Sequence, residues 1–209
     1  MGLISNGTTI FDSGSMASGF GGNMVFIKKL TASSSATLSF VDGSSDVVLD
    51  NTYKEYVFTF NNIHPSADQE DLQFNMSADS GSNYNVTKTT TAFRAFHNEA
   101  GNDTNLSYHT GEDLAQGTGF QSIAYETDNA NDSGISGSLH LFNPSSTTFV
   151  KHFLAQTSSC LDGGATYGIY NLNFFTAGYG NTTSAVDAIR FQMSSGNIDA
   201  GDICLYGIA

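Results

Sequence analysis

The feature that most constrains this chain is a two-residue alternation of apolar and polar side chains in short segments. Successive side chains of a β-strand point to opposite faces, so this alternation is typical of strands with one buried face. Clusters of Gly, Ser, Asn and Asp, which favour turns, separate the segments. No stretch of the sequence carries a convincing helical period. The pattern therefore predicts a chain built almost wholly of β-strands.

The alternation predicts about ten to twelve strands. They are expected at residues 24–31, 36–41, 47–49, 52–63, 72–76, 89–98, 133–142, 148–156, 166–176, 188–193 and 203–208. We expect a loop at 64–68 and a long polar excursion over one end of the sheets at 99–119. The connector 194–202 is typical of a hairpin with a wide loop between the last two strands.

So many short strands favour two antiparallel sheets packed face to face, and a jelly roll fits best. With 39% hydrophobic and 12% aromatic residues, the 209-residue chain can form one substantial core. We expect a single β-sandwich domain over residues 23–209. Residues 1–22, rich in glycine, are expected to form an N-terminal arm or an edge element.

The charge balance excludes several classes of partner. The chain has 20 acidic and 7 basic residues and a formal net charge of −13, which repels a phosphate backbone. Its only adjacent basic pair is Lys28-Lys29. No apolar run approaches the roughly 20 residues that cross a bilayer, and the N-terminus does not resemble a secretory signal. We therefore expect synthesis in the cytoplasm, no nucleic-acid binding and no membrane insertion.

Motifs for covalent and acid–base catalysis are missing. The nearest approach to Gly-x-Ser-x-Gly is 134–138, which ends in Ser and lies within a strand pattern. A jelly-roll glycosidase needs two carboxylates facing each other from strands, about 5 to 9 Å apart. Most acids here fall in loops, and only Glu55 and Glu126 fit a strand pattern. Glu55 beside Lys54 is more simply a solvent-facing pair. We predict no catalytic and no cofactor-binding residues.

Metal sites are also not favoured. The five histidines, His64, His97, His109, His140 and His152, lack zinc spacing, although His140 and His152 could meet across a hairpin. Residues 128–134 (DNANDSG) offer clustered oxygens to calcium, but a plain turn is the simpler interpretation. Calcium stays the one alternative cofactor, and no metal site is predicted.

Tyrosines and cysteines leave two further questions open. Five tyrosines next to glycine or polar residues could stack on sugar rings, but covering the sandwich ends or packing against another subunit is favoured: Tyr108, Tyr125, Tyr167, Tyr170 and Tyr179. Cys160 and Cys204 are expected as two buried thiols, although a disulfide stays open because strand order does not follow from the pattern.

Several short segments of the sequence together resemble sequences of one family. They are 26–33 (FIKKLTAS), 53–56 (YKEY) with 62–65 (NIHP), 139–146 (LHLFNPSS) with 149–152 (FVKH), and 189–191 (IRF), 195–198 (SGNI) and 205–208 (LYGI). In them the chain resembles a family of small virion proteins of marine tailed bacteriophages, including those of cyanobacteria. The resemblance covers nearly the whole chain and is poorest at 99–125. It carries over no active-site residues.

The resemblance implies a non-enzymatic structural protein exposed on the virion after synthesis in the host cytoplasm. We favour a tail appendage or fibre-associated module with a role in recognising the host surface. Capsid decoration is the alternative, and a carbohydrate-binding or carbohydrate-active jelly roll is the second alternative. The expected partners are other virion proteins, further copies of the chain in a homo-oligomer such as a trimer, and a host-surface glycan.

Overall fold

Two antiparallel sheets, one of eight strands and one of four, pack face to face in the computed structural model, which describes residues 3–5, 8–12, 15–16 and 23–209. The predicted all-β, two-sheet sandwich is confirmed. The strands are β1 Leu3–Ser5, β2 Thr8–Asp12, β3 Ser15–Met16, β4 Met24–Thr31, β5 Leu38–Val41, β6 Glu55–Pro65, β7 Leu72–Ser77, β8 Lys88–Asn98, β9 Thr104–Tyr108, β10 Gln121–Ser122, β11 Ile135–Phe142, β12 Lys151–Asp162, β13 Ile169–Gly180, β14 Ala188–Met193 and β15 Ile198–Ile208. A four-residue helix, α1 (Gly164–Tyr167), joins β12 to β13.

The large sheet has the order β4-β15-β6-β11-β12-β13-β8-β9, and the small sheet has the order β10-β7-β14-β5. Strands β1, β2 and β3 form a separate three-stranded sheet. Apart from these three strands, the expected N-terminal arm or edge element at residues 1–22 lies outside the described residues.

The predicted alternation is clearest in β12, where buried and exposed residues follow each other from Lys151 to Ser159. The expected bounds of β4 and β14 match the structure residue for residue. The inner residues of both sheets form one core around Phe191, whose ring centroid lies 5.4 Å from that of Phe58 and 5.3 Å from that of Phe60. Sheet packing therefore rests on interlocking aromatic rings.

Some local predictions are wrong. Residues 47–49 form no strand; Val47 and Leu49 are buried because this loop packs onto the core. The expected loop at 64–68 begins two residues late, since β6 continues to Pro65, which pairs with Ile198. The excursion at 99–119 contains β9, and the segment expected as a strand from 166 begins instead inside α1.

The expected hairpin between the last two strands is also wrong. β14 belongs to the small sheet and β15 to the large one, so the connector crosses from one sheet to the other. Side chains and backbone of the loop after β6 hold this crossing: the Asn197 amide donates to Ser66 Oγ at 2.8 Å, and the Ser194 amide donates to the Asp71 carbonyl at 2.9 Å.

We expect Phe191→Ala to lower the free energy of unfolding by about 3–5 kcal/mol, because it opens a cavity where four other phenylalanine rings meet. Urea denaturation measures this change. Phe149→Ala is the matched control: Phe149 is 67% exposed, so its truncation should cost less than about 1 kcal/mol. Equal losses in the two variants would contradict the proposed organisation of the core.

Candidate functional site

The two sheets differ in what covers their outer faces. On the small sheet, the Asn75 side-chain amide donates to the carbonyls of Tyr84 at 2.7 Å and Thr118 at 3.0 Å, and the Arg190 guanidinium lies 3.9 Å from the Tyr84 ring centroid. These contacts fix loops over that face. On the large sheet, Leu154 at the middle of the outer face is 53% exposed. Its outer face is therefore open.

Strand register arranges this outer face in transverse rows, and we call three adjacent rows the open face. The middle row is Phe26, Tyr206, Val57, His140, Leu154, Ala177 and Thr91. The second row is Met24, Ile208, Glu55, Phe142, His152, Tyr179 and Thr89. The third row is Lys29, Cys204, Thr59, Ser138, Gln156, Phe175, Phe93 and Tyr108.

The open face carries few charged side chains, although the chain has a formal net charge of −13. Its one acidic side chain is Glu55, whose Oε1 lies 2.6 Å from Nδ1 of His140. Its one lysine is Lys29, whose Nζ lies 3.1 Å from Asp202 Oδ2. The expected solvent-facing pair of Glu55 with Lys54 is wrong, because the register between β6 and β11 brings His140 to Glu55 instead.

Apolar and aromatic side chains form the protrusions and the hollows of the open face. The rings of Phe93 and Phe175 stack with centroids 4.9 Å apart, and the rings of Phe26 and Tyr206 meet edge to face at 5.6 Å. Two hollows of about 400 Å³ flank Leu154 and share it as a wall. On the open face, the protruding apolar side chain of Leu154 thus lies beside two apolar hollows. Exposed apolar surface of this kind is typical of protein contact surfaces.

His140 and His152, which lie on the consecutive strands β11 and β12, have different partners on this face. His140 binds Glu55, whereas the His152 ring packs against Tyr179 with centroids 5.9 Å apart. In the part of the chain that the structure describes, no three His, Cys, Asp or Glu side chains converge as metal ligands. These separate contacts do not favour a metal site formed by His140 and His152.

Internal hydrogen bonds hold the loop considered for calcium, residues 128–134. A carboxylate oxygen of the buried Asp128 accepts the amide of Asp162, and burial raises the pKa of Asp128. The Asn129 amide donates to Asp68 Oδ1 at 3.2 Å, and the His64 ring binds the Ala130 carbonyl at 3.0 Å. These three oxygens already have partners, which favours a plain turn, whereas Ser133 Oγ is buried without a partner.

A shallow polar groove of about 670 Å³ lies beside this loop and is lined by His64, Cys160 and Asp199 among others. His64 Nδ1 lies 4.0 Å from Asp199 Oδ2. Burial and the charge of Asp132 raise the pKa of the Cys160 thiol, which is the wrong direction for a nucleophile. The triplet of side chains therefore does not form an activated thiol site.

The cysteines are both free. Cys160 is half-buried on β12, and Cys204 is buried on β15. Two strands, β6 and β11, lie between them in the sheet, so the thiols are about three strand spacings apart and cannot pair.

The five tyrosines do not form one platform. Tyr108 and Tyr179 lie on the open face, and Tyr167 is exposed on α1. Tyr125 and Tyr170 instead lie near Arg94 at one end of the sandwich. Glu126, expected on a strand, lies outside the strands and near the same arginine. Sequence reasoning missed Arg94, although it is a charged residue at an inward-facing position of a predicted strand.

Two lysines are fully buried among neutral acceptors. Lys88 Nζ donates to Asn75 Oδ1 at 2.5 Å and to the Val86 carbonyl at 2.9 Å. Lys151 Nζ donates to three backbone carbonyls, the shortest bond being 2.6 Å to Ser146. No carboxylate of a described residue pairs with either lysine. Burial lowers both pKa values, that of Lys88 to about 7.

We expect the free energy of unfolding to rise between about pH 7 and pH 10.5 through Lys88. In this range the unfolded chain keeps the lysine proton that the folded chain has released, so increasing pH favours the folded state. The Lys88→Met variant lacks this titration and should show a smaller rise. Urea denaturation at several pH values measures the slopes. Lys54→Met, which removes an exposed lysine, is the control, and equal slopes in the two variants would refute the assignment.

Comparison of the chain with models of protein families, and with curated proteins, found no match. Within the described residues, no helix has the length and hydropathy to span a membrane.

Proposed function

We propose that this chain is a non-enzymatic structural protein exposed on the particle of a tailed bacteriophage, and that copies of it join through the open face. The observation that carries the self-association is the combination of exposed apolar side chains and few charged side chains on that face. Leu154 is 53% and Phe26 56% exposed, and the only acidic side chain among the three rows is bound to His140. Depletion of charge and enrichment of aromatic residues are characteristic of the core of protein interfaces.

Charge favours a second copy of the chain as the occupant. Two copies that each carry a formal charge of −13 repel one another across most approaches. The open face is where they can approach most closely, because Glu55 is the only acidic side chain in its three rows and Lys29 is paired with Asp202. The hydrophobic gain there is then opposed by little electrostatic repulsion.

Shape and size also fit a second copy. A knob and hollows on one face make that face self-complementary, since Leu154 of each copy can enter a hollow of the other. Eight strands at about 4.8 Å spacing make the face roughly 34 Å wide, and three rows of side chains cover roughly 700 Å². A standard protein interface buries about 800 Å² on each partner.

Within the virion, we propose a tail appendage or fibre-associated position with a role in recognising the host surface. The sequence resemblance to virion proteins supports the class of protein. The sandwich supports the exposed position, because its ends carry polar loops that do not take part in the open face. Other virion proteins would anchor the assembly, which is made in the host cytoplasm before it joins the particle.

Leu154→Asp should dissociate the oligomer, because it places two uncompensated negative charges against each other in an apolar contact. Light scattering during size-exclusion chromatography gives the mass of each variant and identifies a dimer or a trimer. Tyr167→Asp, at an exposed tyrosine outside the open face, is the control and should keep the wild-type mass. A wild-type monomer at high concentration would overturn the self-association proposal.

Gold-labelled antibodies against the chain should bind the tails of virions of the phage that encodes it. Electron microscopy of labelled particles tests this position directly. Labelling of the head would replace the appendage assignment with capsid decoration. The virion assignment would be refuted if the antibody labels no intact virions and also detects no chain in denatured virions of the same preparation.

A further inference from the structure

A small cavity at one end of the sandwich has the chemistry of a ligand site. It measures about 250 Å³ and lies between the inner face of β8, β12 and β13 and the loops that hold Asp103 and Glu126. Arg94, Phe96, Tyr170 and the two acids line it, and leucines on β12 and β13 complete it. We call it the Arg94 cavity. All five named side chains are half-buried, so a ligand can reach them.

Arg94 supplies hydrogen-bond donors that no described residue accepts. Its Nε is buried without a partner, and its guanidinium makes no ion pair with a described carboxylate. Instead the guanidinium lies 4.7 Å from the Tyr125 ring centroid and 5.3 Å from that of Phe96. A buried donor without an acceptor is unfavourable, so the cavity favours a ligand that brings oxygen acceptors to this guanidinium.

The two carboxylates supply acceptors. Asp103 Oδ2 accepts the Tyr170 hydroxyl at 2.7 Å, and Glu126 Oε1 accepts the Tyr125 hydroxyl at 2.7 Å. The tyrosines hold each carboxylate in place through one oxygen. The other oxygen of each carboxylate receives no hydrogen bond from a described side chain, so it can accept one from a ligand.

Aromatic rings form the apolar part of the cavity. Phe96 and Tyr170 meet edge to face with ring centroids 5.4 Å apart. Together with the leucines they offer a surface for the C–H face of a ring-shaped ligand. Apolar walls with a few placed polar groups are typical of small-molecule sites.

We propose that the Arg94 cavity binds one neutral sugar residue of a glycan. A sugar ring combines hydroxyl donors for Asp103 and Glu126, hydroxyl acceptors for Arg94 and an apolar face for Phe96. An acidic sugar fits less well, because two carboxylates outweigh one guanidinium in a chain that is already strongly acidic. A purely apolar ligand would leave the polar groups unpaired. The inference rests on the proposed function in host-surface recognition, for which it names the ligand class.

Titration of the purified full-length chain with galactose, glucose, mannose, N-acetylglucosamine and sialic acid tests this. Two-dimensional ¹H–¹⁵N NMR is the readout, because the chain has only two arginines, Arg94 and Arg190, and so two arginine Nε–H signals. The Arg190→Met variant assigns the signals and is the matched control, since Arg190 stacks on Tyr84 away from the cavity. At least one neutral sugar should shift the Arg94 signal in saturable fashion.

With affinity measured from the backbone amide shifts of the same spectra, Arg94→Met should weaken binding of that sugar about tenfold or more, while Arg190→Met should leave the affinity unchanged. If Arg94→Met does not fold, Glu126→Gln gives the same test, because it keeps the shape of the side chain and removes its charge. Absence of saturable shifts with all four neutral sugars, or stronger binding of sialic acid than of any neutral sugar, would overturn the inference.

The experiments distinguish failure of the sugar site from failure of the proposed virion function. If the chain self-associates and labels virions but binds no sugar, only the sugar site is refuted. If it binds a neutral sugar through Arg94 but labels no virion, the proposed function is refuted and the binding site remains.

Discussion

Burial of one face of the eight-stranded sheet against the smaller sheet determines the rest of this structure. The two-residue period of a strand sends alternate side chains to opposite faces, so a core on one side fixes what the other side presents. Phe153 lies inside against Phe74, with ring centroids 4.9 Å apart, and its neighbour Leu154 must therefore face outward. Because the small sheet covers only the inner face, Leu154 stays exposed, and every other residue of its row except Val57 is at least partly exposed.

The open face and the Arg94 cavity lie on opposite faces of the large sheet, and both result from the way the small sheet covers only part of it. The open face crosses all eight strands of the large sheet and carries few charged side chains, which would favour contact between acidic molecules. The cavity forms where the inner face of the large sheet extends beyond the small one, so that loops rather than strands cover Arg94. Assembly and ligand binding would thus occupy opposite faces of one sheet, and neither would block the other.

The strands could be predicted to the extent that one buried face imposed alternation on them. β4 and β14 matched their expected bounds, whereas β9 was missed because its residues are nearly all exposed and no burial constrains their order. The pairing of strands could not be predicted, since alternation contains no information about the neighbour. The supposed hairpin before β15 failed for this reason. The contact between Glu55 and His140, which are 85 residues apart in sequence, could not be predicted either, because it depends on the pairing of β6 with β11.

The most direct test of the central claim is a cryo-electron-microscopy reconstruction of the chain in its assembled form. If copies assemble through the open face, the row from Phe26 to Thr91 is buried against another copy, with Leu154 of each subunit seated in a hollow of its neighbour. A map in which that row faces solvent, while copies touch through the acidic loops, would contradict it.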